Sequence, residues 1–176
     1  MILHYKTQND TMGHAITAIV IKGHYNQELA ITFDLKGVAL GFDLHMFFID
    51  HYYSACWQEM LKADGYLEVN ENSGHILFPN EIAVAEIVQK IAQTRFVQFA
   101  IIATDYFGGV GNQYAQVYQG QNLASKDIDD INGALRWLGV VPTQGMDAFD
   151  TVGLSNYRSN PDYLDKYADL SMQLGV

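Results

Sequence analysis

Residues 96–104, Phe-Val-Gln-Phe-Ala-Ile-Ile-Ala-Thr, form the segment that most restricts the fold of this chain. The run is apolar almost throughout and rich in β-branched and aromatic side chains, so it reads as a strand. No alternation of wet and dry positions survives in it, which predicts a central strand covered on both faces. It is far too short to span a bilayer. A strand of this kind needs neighbouring strands at its sides and a layer of structure above and below.

The rest of the chain supplies those parts. Residues 15–22, with Ile16, Ile19, Val20 and Ile21, read as another strand. Residues 29–33 fit a strand or one helical turn. Residues 38–49 look like an extended hairpin. Asp50 can cap a helix whose apolar face is Tyr53, Cys56, Trp57, Met60 and Leu61, and Asp64-Gly65 would end it. Residues 66–69 and 75–78 are short strand candidates around a turn. Asn80 can cap a second helix with the stripe Ile82, Ala85, Val88 (or Ile87), Ile91 and Ala92. Tyr114, Gln116 and Tyr118 alternate with Ala115 and Val117, as in a strand with one wetter face. Ser125 opens a third helix with Ile128, Ile131, Leu135 and Leu138 inside and Gly139 at its end. Asn160-Pro161-Asp162 starts a last helix carrying Tyr163, Leu164, Tyr167, Leu170 and Leu174. The expected architecture is α+β (or α/β): one layered domain over residues 1–176, with a mixed or mostly antiparallel central sheet packed by three to four helices.

Charge narrows the function classes. The chain has 176 residues, 20 acidic and 10 basic, for a formal net charge of −10. Its apolar share of 49% and aromatic share of 12% exclude a disordered acidic tail. No cluster of Lys or Arg exists to displace counterions, which argues against nucleic-acid binding. Cys56 is the single cysteine, so no intrachain disulfide can form, and a reducing compartment is expected. The first residues turn polar at once and lack a cleavable apolar leader, so the expected location is the cytoplasm, without membrane attachment. No cofactor motif is present.

Four local constellations bear on chemistry. Residues 107–111, Phe-Gly-Gly-Val-Gly, resemble a phosphate loop in glycine content alone: a strand and not a helix follows, and no Lys-Ser/Thr ends the motif. A hairpin turn with positive φ is the expectation. Asp43-Leu-His45 would present a carboxylate and an imidazole on one strand face. With His51 and Asp105 they define an alternative, a small metal-dependent hydrolase-like enzyme; His24 or His75 could supply a further ligand. The competing reading makes Asp50 a helix cap, His45 partly buried and His51 exposed. Cys56 and His51 lie about 140° apart around a helix axis, and Cys56 falls on the apolar stripe, which predicts an inert buried thiol. Ser54 or Thr104 with Asp105 and a histidine is the fourth set, and no Gly-x-Ser-x-Gly or His-Glu-x-x-His motif supports it.

The strongest distributional feature lies between Glu28 and Glu86, which hold ten acids and two bases. Aromatic residues are interleaved there: Phe42, Phe47, Phe48, Tyr52, Tyr53, Trp57 and Tyr66. Carboxylates around aromatic anchors suit a surface that steers and holds a basic partner. The residues expected to carry it are Asp43, Asp50, Tyr52, Glu59, Asp64, Tyr66, Glu68 and Glu71, with Gly108, Gly109 and Gly111 as a rim.

Residues 49–58, Ile-Asp-His-Tyr-Tyr-Ser-Ala-Cys-Trp-Gln, and 104–113, Thr-Asp-Tyr-Phe-Gly-Gly-Val-Gly-Asn-Gln, resemble segments of small acidic bacterial immunity proteins encoded beside secreted toxins. The resemblance implies a non-enzymatic inhibitor that neutralises a basic toxin domain, such as a nuclease, by capture and occlusion of its active site. It would be a monomer or homodimer when free.

Overall fold

The computed structural model describes residues 13–70 and 78–176. At its centre is a six-stranded sheet in the order β2-β3-β1-β4-β5-β6. The strands are β1 (Thr17–Lys22), β2 (Val38–Gly41), β3 (Leu44–Phe48), β4 (Gln98–Phe107), β5 (Val110–Gln119) and β6 (Asn122–Leu123). Every pairing is antiparallel, and the fold is α+β. The apolar run forms most of β4, between β1 and β5, and Phe99 to Thr104 are buried. Both neighbours saturate its backbone while its side chains enter two separate packing layers.

Register assigns those layers. Ile19, Ile21, Phe47, Phe99, Ile101, Gln116 and Tyr118 share one face, and Val20, Met46, Ala100, Ile102, Thr104 and Gln113 share the other. Over the first face lie α1 (Gln27–Thr32), α2 (His51–Leu61), α3 (Ile82–Ala92) and α6 (Lys166–Leu174), which pack on one another. Tyr25, just before α1, meets Phe47 edge-on at 4.9 Å. Over the second face lie α4 (Ile131–Trp137) and α5 (Ala148–Thr151), and there Tyr157 packs against Phe48. Among the described residues, no helix is long and apolar enough to cross a membrane.

Several local expectations are corrected by tertiary contacts. Of the two readings for residues 29–33 the helical one holds: residues 29–32 lie in α1 with Phe33 at its C-cap, because the Asn26 carboxamide accepts from Leu29 N–H at 3.0 Å and starts a helix. Residues 66–69 form no strand. One bridge, Tyr66 to Glu81, holds them, and they cross the first sheet face. The Tyr118 hydroxyl donates to Glu68 O at 3.0 Å, and Gln116 Oε1 accepts from Asn70 N–H at 3.0 Å. The face expected to be wetter is therefore buried, with Gln116 and Tyr118 fully covered. Of the strand expected at 75–78, only Phe78 lies within the described residues.

Asn80 does not cap α3. Instead Gln58 reaches across from α2: its Oε1 accepts from Ala83 N–H at 2.9 Å while its Nε2 donates to Gly65 O at 2.7 Å. One side chain thus satisfies a free amide at a helix start and a loop carbonyl together. The third predicted helix begins at Ile131, not near Ser125, because residues 128–129 serve the sheet edge: Asp129 O accepts from Ala115 N–H, and Ile128 O accepts from Asn70 Nδ2. Asp130 then caps α4 through Gly133 N–H at 2.7 Å. Asn160 does not cap the last helix either. Its Oδ1 accepts from Thr17 N–H and its Nδ2 donates to Ile49 O, both at 2.9 Å, so it clasps β1 to the end of β3. Among the described residues there are six α-helices, against the three to four expected; α1 and α5 are short and lack the long apolar stripes that announce a helix.

Candidate functional site

β4 and β5 project as a long hairpin closed by Gly108 and Gly109. Their φ values of 60° and 80° are those a two-residue turn of the favoured hairpin hand requires, so the glycines are a turn, as the sequence suggests. Gly111 has a different role. A Cβ there would sit 2.0 Å from Asp105 O and 2.6 Å from Tyr106 Cα, so close backbone approach demands glycine. It belongs to the hairpin's construction. The closing pair Phe107 and Val110 is 73% and 80% exposed, and Asp105 beside it is exposed too.

Beneath this tip is a cleft of about 350 Å³. The hairpin gives it Tyr106 and Gln113, the starts of α4 and α5 give Asn132, Asp147 and Phe149, and the returning chain gives Ser155 and Arg158. Asp147 caps α5 through Asp150 N–H at 2.8 Å. Asn132 ties the two helices together, donating to Asp147 Oδ2 at 3.0 Å and accepting from Phe149 N–H at 2.9 Å. Gln113 Oε1 accepts from Ile131 N–H at 3.3 Å.

His14 lies at the back of the cleft and is committed to structure. Thr104 Oγ1 accepts from Ile16 N–H at 3.0 Å and can then donate to His14 Nδ1 at 2.8 Å. His14 Nε2 lies 3.2 Å from Leu154 O, which it satisfies as a donor. Both ring nitrogens are therefore used, and the neutral ring with its proton on Nε2 completes every bond in the chain. No lone pair is left for a substrate or a metal.

The residues of the enzyme alternative do not converge. Asp43 sits in the β2–β3 turn and His45 at the same end of β3, where its Nδ1 is 3.2 Å from Gly23 O. His51 begins α2 beyond the other end of β3, and Asp105 belongs to that distant end as well. Among the described residues, no group of three His, Cys, Asp or Glu side chains could hold a metal ion. His75 lies outside the described residues. Cys56 is buried; burial, and then the Asp50 charge, push its thiol up from its ordinary value, so the thiolate nucleophile is disfavoured.

The acidic-aromatic residues are likewise dispersed. Asp50 caps α2, accepting from Tyr53 N–H at 2.6 Å, and burial pushes its carboxyl upward. Glu59 pairs with Lys62, and Glu68 with Lys126. Tyr52 stacks on His51 at 3.9 Å. Asp64 and Tyr66 are exposed past the far end of α2 from Asp50, and Asp43 is exposed at a third place, the β2–β3 turn. Glu71 lies outside the described residues. Of the predicted partner residues, Gly108 and Gly109 alone reach the cleft, because their turn overhangs it. The other cleft residues come from positions 14, 106, 113, 132 and 147–158, and beyond the hairpin itself no local spacing connects them.

Comparison of the chain with protein-family models, with curated proteins and with solved structures gave no match.

Proposed function

We propose that this protein is a non-enzymatic binding protein that captures a basic protein domain, with the β4–β5 hairpin tip as its anchor. The observation that carries the reading is the exposed Phe107–Val110 pair on a two-residue turn, where neither side chain serves the core. Exposed Asp105, Asp130 and Asp150 flank that end of the molecule. An apolar centre within an acidic surround suits a cationic partner: charge speeds the encounter, and burial of the tip holds the complex. The resemblance of residues 49–58 and 104–113 to immunity proteins supports the same reading and narrows the partner to a toxin domain whose active site the protein would occlude. The dispersed His and Asp side chains give catalysis no comparable support.

The test is recovery of the tagged full-length chain from its source cells, with identification and titration of what accompanies it. The expected companion is a strongly basic protein that is lost as salt rises to roughly 0.5 M, where screening is effective within a few ångströms. The double substitution Phe107→Asp, Val110→Asp abolishes its capture. A companion that is acidic, or that the doubly substituted protein holds equally well, refutes the reading.

A further inference from the structure

The cleft beneath the hairpin has a chemistry that the docking tip does not use. An acid and a base, Asp147 and Arg158, are both among its lining residues. The ion pairs of the described residues are Lys62–Glu59, Lys126–Glu68 and Lys166–Asp34, so these two groups share a cavity without closing on each other. Asp147 Oδ1 and Oδ2 each accept one hydrogen bond from the protein, from Asp150 N–H and from Asn132 Nδ2. A carboxylate oxygen accepts two, so each retains capacity for a ligand. Arg158 is anchored by its backbone, whose carbonyl accepts from Ala15 N–H at 2.9 Å, while its exposed side chain has no polar partner among the described residues.

Ring surfaces complete the wall. His14 and Phe149 pack at 5.4 Å, and Tyr106 lines the same space. The volume of about 350 Å³ lies at the small end of the range for ligand sites. A ligand matched to these walls is small, carries one cation and one anion close together, and has an apolar or aromatic remainder.

We propose that the cleft binds a free α-amino acid with an aromatic side chain, its ammonium on Asp147, its carboxylate on Arg158 and its ring against Phe149 and Tyr106. The guanidinium fork suits a carboxylate in two-point contact. Aromatic pairs at this spacing favour tilted or offset contact, which Phe149 can offer. His14, held by Thr104 and Leu154, serves as fixed packing and donates nothing to the ligand.

L-Phenylalanine, phenethylamine and 3-phenylpropionate separate the contributions, because the second lacks the carboxylate and the third lacks the ammonium. Binding is read by calorimetry and by the melting temperature of the full chain, which a ligand selective for the folded state raises. L-Phenylalanine should bind, and each truncated analogue should bind roughly tenfold or more weakly, the loss expected when a charge-assisted hydrogen bond is removed. Arg158→Met should weaken L-phenylalanine by a similar factor and leave phenethylamine unchanged. Asp147→Asn keeps the α5 cap through its remaining oxygen but loses the bond from Asn132 Nδ2, so its circular dichroism and melting temperature are read first; with the fold retained it should weaken L-phenylalanine while leaving 3-phenylpropionate unchanged. Arg136→Met, an exposed site on α4 outside the cleft lining, should bind as the parent does. The proposal is overturned if no aromatic amino acid binds at about 10 mM, a concentration that would reveal even a millimolar site. It is equally overturned if Arg158→Met and Asp147→Asn bind L-phenylalanine as the parent does. Neither result depends on the macromolecular partner, whose capture is read separately through Phe107 and Val110.

Discussion

Two of the sheet's hairpin turns, at its opposite ends, are built from opposite materials. The β4–β5 turn is Gly108-Gly109, with φ of 60° and 80°; the β2–β3 turn is Phe42-Asp43, with φ of 52° and 58°. Glycine enters that left-handed region freely, whereas a residue with a Cβ does so at a cost of about 1 kcal/mol or more. The costly turn is tied down: Lys22 Nζ donates to Phe42 O, and Gly23 N–H donates to Asp43 O at 2.8 Å. The glycine turn has open space around it, since a Cβ at either position would meet nothing within 4 Å. One end of the sheet is fixed by its surroundings. The other is held by its own ladder and leaves its side chains available to another molecule.

That contrast can be broken most directly at Gly111. Gly111→Ala drives a methyl into the backbone of Asp105 and Tyr106, and should cost roughly 3 kcal/mol or more, near the upper range for single substitutions. Urea unfolding measures it, and a loss below about 1 kcal/mol would show that the hairpin adjusts. The acids near the free end can be sorted next. Asp50→Ala removes the α2 cap and should cost about 1 kcal/mol, whereas Asp105→Ala should leave stability within about 0.5 kcal/mol because its side chain is exposed. Exchanging the turn chemistry is the third test. Gly108→Ala should cost about 1 kcal/mol, and Phe42→Asn should recover up to a similar amount, Asn being better tolerated at positive φ. Equal and opposite shifts in the denaturation midpoint would establish that backbone conformation governs both turns.

The smallest expected effect concerns Asp34, which sits away from both turns at the end of α1 with φ 56°. Burial works to raise its carboxyl, but hydrogen bonds from Lys166 and Tyr167, each 2.7 Å, outweigh it and hold the group below its ordinary value. A lowered carboxyl stabilises the fold above its unfolded value of about 3.8 and loses that contribution as pH falls through the folded one. Asp34→Asn should therefore be slightly less stable at neutral pH, by less than about 1 kcal/mol for a part-exposed pair. Its melting temperature should converge with the parent's in acid. Parallel curves at all pH values would remove Asp34 from the acid response.

The α+β class, the central position of β4, most of the inner faces of α2, α3 and α4 and the glycine turn were legible in the sequence, because each is a local or periodic signal; on α2, however, Met60 of the expected stripe is exposed and Ser54 is buried. What escaped it is carried by single polar side chains acting across long separations. Gln58 caps a helix that begins 24 residues later than itself. Asn80 and Asn160 carry every local mark of a cap, and both are drawn to other backbone groups. Asp147 caps α5 and lines the cleft at once, and only the second role needs the fold. Gln116 alternates as a solvent-facing residue would, yet the segment through Glu68 and Asn70 covers it. The cleft itself depends on His14 meeting Thr104 and Leu154, contacts spanning 90 and 140 positions, and no pattern along the chain encodes that meeting.

The Asn160 clasp bears on the order in which the chain can reach its native state. Thr17 N–H and Ile49 O wait for a carboxamide that lies 143 and 111 positions away. While the ribosome is still making the later helices, the first strand pair has an open seam with two unanswered polar groups. That seam shuts only after residue 160 has been made and has folded back, so the first strand pair is finished later than strands that follow it in the chain.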